Sequence, residues 1–272
     1  MRVERVQTFG NAECVLPHFA VRQFPFGGSS ITEFDIDDDG RTELVGCGAT
    51  GLWAFPWQGR YDGIKATLRT EPCSAIERLE RGELRGLLVA FEDRVEHLSA
   101  STAGLGPGLL NAIPLDGESA RLATDGAGSI AWGAAGSTGV TVLGPGGRRE
   151  IATTGAISDV AWGPGGWTWT LPDTWEVVSE DGGAVPVPGA DALLTADDGS
   201  SWVYGGGVAT VLSADSTAAF SVPAEVFDAV RADLDADGCE DAAWASPSGI
   251  TLQFGTCQTS PPPEVVLSLI HI

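Results

Sequence analysis

At 272 residues the chain has room for one large all-β domain or two ordinary ones. Its 37 acidic side chains against 15 basic ones, a net charge of −22, repel nucleic-acid phosphates and anionic membranes and attract cations. With 43% hydrophobic residues the chain can fill a core, and its 37 glycines and 16 prolines call for many turns and short strands rather than long helices.

At the N-terminus, Met1 is followed by Arg2, Val3, Glu4 and Arg5 with no apolar run of signal-peptide length, and no stretch is long enough to span a bilayer. Beyond residue 29 a unit recurs: an apolar strand carrying acids, a Gly- or Asp-rich turn, an aromatic-rich strand, a Gly turn and a third apolar strand. The units run Ile31–Phe55, Ala75–Leu98, Arg121–Leu143, Ile157–Val178, Ala192–Leu212 and Phe227–Phe254. Their closing apolar residues recur about every 34–45 positions, the length of a β-propeller blade. Ser74–Arg85 is rich in Glu, Arg and Leu and could pass for a helix, but it fills a blade slot and is read as strand and loop. Trp132, Trp162, Trp202 and Trp244 sit at similar places in units three to six and are expected to pack between blades. In the last unit Ile250, Leu252 and Phe254 alternate with Thr251 and Gln253, the period of a half-buried strand.

Two segments carry the chemistry. Asp35, Asp37, Asp39, Gly40, Arg41 and Glu43 in unit one match Asp233, Asp235, Asp237, Gly238, Cys239 and Asp241 in unit six, both as D-x-D-x-D-G-x-x-[DE]. Carboxylates at the first, third and fifth places of a tight loop can converge on one point, and glycine at the sixth permits the sharp turn. The carbonyl of Arg41 or Cys239 can add an oxygen, and Glu43 or Asp241 can complete a cage for calcium, a hard ion that takes about six to eight oxygens. An EF-hand would need an acid at the twelfth place, which holds Gly46 in one loop and Trp244 in the other. Each loop instead runs into a strand, Leu44-Val45 or Ala242-Ala243-Trp244.

This motif followed by an apolar strand resembles the FG-GAP/VCBS repeat of integrin-α-like propellers. The resemblance implies calcium in loops joining two strands of a blade, here about two ions. Units two to five depart from it; Asp125-Gly126 and Asp197-Asp198-Gly199 are at most remnants. It further implies about seven four-stranded blades. Six are visible, so a seventh is expected either beyond the C-terminus or shared with residues 1–29.

Residues 1–258 are thus read as a propeller and 259–266 as a Pro-rich loop or linker start. Residues 267–272, LSLIHI, are encoded by CTG TCT CTT ATA CAC ATC, which matches a transposon end used in sequencing libraries. They are expected to be adapter-derived, with the native chain continuing past about Val266. The five cysteines form no C-x-x-C. One or two disulfides are expected, Cys239–Cys257 first and Cys47–Cys73 second, with Cys14 left over.

Outside the suspected adapter only His18 and His97 remain, too few for a Ser-His-Asp or Cys-His constellation, and no phosphate loop or nucleophile elbow is present. The expected function is a non-catalytic, calcium-binding module, secreted, periplasmic or at a cell surface. Its ligand would be a protein or glycan, without nucleic acid or membrane insertion. The rival readings are a lectin-like propeller with Trp167, Trp169 and Trp175 as stacking platforms, and a polysaccharide lyase or hydrolase scaffold.

Overall fold

The computed structural model describes residues 14–15, 22–24, 28–55, 66–81, 84–101, 104–115, 120–125, 128–163, 166–195, 201–212, 217–222, 225–234, 238, 241–247, 249–253 and 256–257. Among these residues there is no helix. Strands pair with their chain neighbours into small antiparallel sheets. Blade one comprises Gly28–Phe34, Glu43–Gly48, Gly51–Phe55 and Ala66–Arg69. Blade two comprises Cys73–Arg81, Leu84–Phe91 and Arg94–Ser99, edged by Gly106–Pro107 and Ile113–Pro114. Blade three comprises Ala120–Thr124, Ile130–Ala134, Gly139–Gly144 and Gly147–Ala152. Blade four comprises Asp159–Gly163, Gly166–Leu171, Glu176–Ser179 and Ala184–Pro186. Blade five comprises Ala192–Thr195, Ser201–Gly205, Val208–Leu212 and Thr217–Ser221.

Blade six takes three strands from the end of the chain, Asp228–Ala232, Asp241–Ser246 and Gly249–Gln253, and its fourth, Arg22–Phe24, from the beginning. The inner strands neighbour one another in cyclic order, and that of blade six lies against that of blade one. The fold is a six-bladed β-propeller. The seventh blade implied by the repeat family has no place in it. The N-terminal strand belongs to blade six, paired Arg22↔Leu252, Gln23↔Thr251 and Phe24↔Ile250.

The core lies between blades rather than inside them. The second strands are the most deeply covered: Glu43–Gly48 in blade one and Asp241–Ser246 in blade six are buried at every position. Outer strands such as Gly147–Ala152 face solvent and read polar. Ile31, Leu44, Trp53, Val230 and Leu252 fill the seam between blades six and one. Between blades five and six, Trp244 stacks on Trp202 at 6.0 Å and takes Tyr204 edge-on at 6.0 Å. Trp132, Trp202 and Trp244 therefore pack between blades as expected.

Trp162 does not: it is 38% exposed. It sits at the mouth of a tight hairpin, opposite Trp167 in the ladder, and its ring rests on the edge of Trp167 at 4.9 Å. Trp167 takes the interior place. Gly51 shows how closely strands are drawn together: with φ +111°, a Cβ there would lie 2.1 Å from the carbonyl oxygen of Arg69.

Cys47 and Cys73 form a disulfide that ties the second strand of blade one to the inner strand of blade two. Of the two pairs expected from the sequence, Cys47–Cys73 is present. Cys239 lies outside the described residues.

Candidate functional site

The loop between the first two strands of blade one folds around Asp35. Its Oδ1 accepts from the N–H of Asp39 at 3.1 Å and its Oδ2 from the N–H of Gly40 at 3.1 Å. Gly40 adopts φ +84°, the left-handed turn the motif requires of it. The N–H of Arg41 donates to Asp39 Oδ1 at 2.8 Å. One carboxylate oxygen from each of Asp35, Asp37 and Asp39 lies within 4.8 Å of the others. Oxygens sharing one calcium at 2.3–2.6 Å sit no more than about 5 Å apart, so this donor set fits that ion.

Glu43 stands at the start of the second strand, buried, with its Oε2 accepting from the N–H of Ile36 at 2.9 Å. Its carboxyl pKa is pushed up to about 7, chiefly by burial and further by the charges of Asp37, Asp35 and Asp39. Arg85 reaches over from blade two and donates to Asp38 and, at 3.1 Å, to Asp35 Oδ2. This partial neutralisation comes from a residue outside the motif, and its position in blade two gave no local signal.

The blade-six loop repeats the plan where it is described. Asp233 Oδ2 accepts from the N–H of Gly238 at 2.8 Å, as Asp35 does from Gly40. Asp241 Oδ2 accepts from the N–H of Leu234 at 2.7 Å, as Glu43 does from Ile36. Gly238 has φ +86°. Asp235, Asp237 and Cys239 lie outside the described residues. The two loops thus stand in neighbouring blades at the seam where the ring closes.

A second region was not foreseen: a cavity of about 580 Å³ along the axis, lined by the inner strands. Here a polar staple crosses every junction between blades. Asp228 Oδ2 accepts from Ser30 Oγ at 2.6 Å and from the N–H of Ile31 at 2.9 Å, joining blade six to blade one. Ser30 Oγ accepts from the N–H of Ile76 at 3.1 Å, joining one to two. Ser74 Oγ donates to Ala120 O at 3.4 Å, and Arg121 Nε to Ser158 O at 3.2 Å. Asp159 Oδ2 accepts from the N–H of Leu193 at 2.9 Å, and Tyr204 Oη donates to Asp228 Oδ1 at 3.4 Å.

Burial holds the carboxyls of Asp159, Asp228 and Glu77 above the ordinary range, that of Asp159 at about 7 despite the opposing charge of Arg121. The signal available in the sequence was an acid placed directly before an apolar strand, in Asp159-Val160-Ala161 and Asp228-Ala229-Val230.

The remaining predicted groups are distributed as follows. His97 is buried, its Nδ1 accepting from the N–H of Leu109 at 3.1 Å, and burial lowers its pKa, so it packs as a neutral ring. Trp167 and Trp169, proposed from sequence as stacking platforms, are 1% and 4% exposed because alternation in Gly166–Leu171 turns both into the seam between blades; Trp175 is 56% exposed.

No family model and no curated protein matches the sequence. Solved structures match it in shape. A streptogramin B lyase is 12% identical, with a TM-score of 0.55 over 87% of this chain and 98% of that one. The likeness is one of fold. BBS1N, solved in complex with ARL6DN, is 9% identical with a TM-score of 0.56 over 88% of this chain and 95% of that one. PorZ, a surface component of the type-IX secretion system of Porphyromonas gingivalis, is 11% identical with a TM-score of 0.52 over 89% of this chain and 39% of that one.

Proposed function

We propose that this protein is an exported binding or structural module whose loops in blades one and six each hold a calcium ion, in the manner of the FG-GAP repeats that its motifs resemble. The observation that carries the reading is the convergence of Asp35, Asp37 and Asp39 within 4.8 Å, on a loop wound about Asp35. Asp35, Asp37 and Asp39 supply side-chain oxygens, Arg41 a carbonyl, and Glu43 closes the site; Asp233, Asp235, Asp237, Cys239 and Asp241 do the same in blade six. Calcium supplies charge neutralisation to clustered carboxylates that otherwise repel one another.

The Cys47–Cys73 disulfide supports an oxidising destination, and PorZ offers a propeller neighbour at a bacterial surface. BBS1N is a propeller with a protein partner, which favours a protein ligand over a glycan here. The glycan reading loses two of its three stacking rings, since Trp167 and Trp169 are buried.

Thermal melting in chelator, calcium or magnesium tests the metal. Calcium at 100 to 1,000 times its dissociation constant adds about 2.7–4 kcal/mol per site, so chelation lowers the midpoint and calcium restores it better than magnesium. Identical melts in all three conditions refute the metal reading.

A further inference from the structure

The strand that closes blade six is followed by a second, shorter pairing of the chain ends. Cys14–Val15 runs antiparallel to Thr256–Cys257, with Cys14 opposite Cys257 and Val15 opposite Thr256. Directly opposed residues of an antiparallel pair have Cα atoms about 4.5–5.5 Å apart, inside the window of about 4.4–6.8 Å that a disulfide spans. Cys47 and Cys73, already joined, have their Cα atoms 5.6 Å apart.

We propose that Cys14 and Cys257 form a second disulfide, a covalent clasp across the closure of the ring. Two independent observations carry it: the register that opposes the two cysteines, and the Cys47–Cys73 bond, which places this chain among proteins whose thiols meet an oxidant. The physical need is plain. Beside the packed seam between blades six and one, the strand pairing of the two chain ends among the described residues amounts to three residue pairs of Arg22–Phe24 and two of Cys14–Val15, joining segments separated by almost the whole chain. So long a loop costs entropy on closing, and a cross-link there removes that freedom from the unfolded chain.

The oxidant is a disulfide of the glutathione class or a protein dithiol–disulfide carrier. One cysteine thiolate attacks it and expels a thiol, leaving a mixed disulfide. The second cysteine thiolate attacks the protein-side sulfur, the Cys14–Cys257 bond forms, and the second thiol leaves. Two electrons pass to the oxidant, and the two cysteine protons end on its two thiols.

The test is a disulfide map of the full chain after equilibration with oxidised glutathione and alkylation of free thiols. Trypsin alone leaves Cys239 and Cys257 together on the fragment after Arg231, so a second cleavage at Asp241 is needed to part them. The expected map links Cys14 to Cys257 and Cys47 to Cys73 and leaves Cys239 alkylated. Alkylated Cys14 and Cys257, or a link from either to Cys239, overturns the proposal.

Thiol titration of the unreduced chain in denaturant gives a second reading that does not depend on how a variant folds. Wild type shows about one thiol, Cys14→Ser and Cys257→Ser each about two, and the double variant about one. About three thiols in the wild type overturns the proposal as surely as the map would.

Discussion

Blades one and four solve the same problem with different loops. Both pair their first two strands as an antiparallel hairpin. In blade four the ladder continues to Gly163↔Gly166, and the chain reverses at once. In blade one it stops at Phe34↔Glu43, and Asp35–Thr42 bulge out to bring three carboxylates together. The sheet does not need the bulge, since blade four forms its four strands without it. The acidic loop is therefore an addition to a frame that stands by interblade packing and axial staples, and the two are separable by experiment.

The largest effect belongs to the frame. Trp244→Ala opens a cavity beside Trp202 and Tyr204 and should cost about 3–5 kcal/mol, in calcium and in chelator alike. If that loss depends on calcium, loop and frame are not separable. Asp228→Ala leaves the buried N–H of Ile31 without its acceptor and should cost about 1–3 kcal/mol, measured by denaturant unfolding and again independent of metal.

The axial acids also set a pH dependence. The folded protein holds a proton on Asp159 up to about 7, whereas the unfolded chain releases it near the ordinary value of 3.8. The folded state thus binds the extra proton through that interval, and stability falls as pH rises across it. Asp159→Asn should flatten that slope in unfolding curves taken at each pH. A slope unchanged in the variant would remove Asp159 as its source.

The smallest effect belongs to the loop's own counter-charge. Arg85 pairs with Asp35 and Asp38 from a partly exposed position, so Arg85→Ala should cost less than about 1 kcal/mol in chelator. Because it removes a positive charge from the carboxylates, it should tighten calcium binding severalfold in a calorimetric titration. Weaker binding would mean that Arg85 organises the loop rather than competing for it.

The frame was legible because each blade spells itself locally. Alternation, Gly turns and closing apolar residues recur along the chain, and even the charged Cys73–Arg81 kept its strand because its blade required one. The closure was not legible. Arg22–Phe24 belongs to blade six through pairing with residues at the far end of the chain, a non-local contact with no trace in its own short sequence. The same holds for Cys14, left unpaired by spacing, and for Arg85, whose meaning comes from a loop in the blade before it. Trp162 was misassigned because it lies on the first strand of its blade, whereas Trp132, Trp202 and Trp244 lie on second strands; the second strand of blade four supplies Trp167 instead.

Calcium stoichiometry measured by calorimetry on wild type, Asp35→Ala and Asp233→Ala tests the central claim most directly. The account predicts about two ions per chain for the wild type and about one for each variant, with folding intact by circular dichroism. A wild type that takes up no calcium, or variants that keep the full complement, would contradict it.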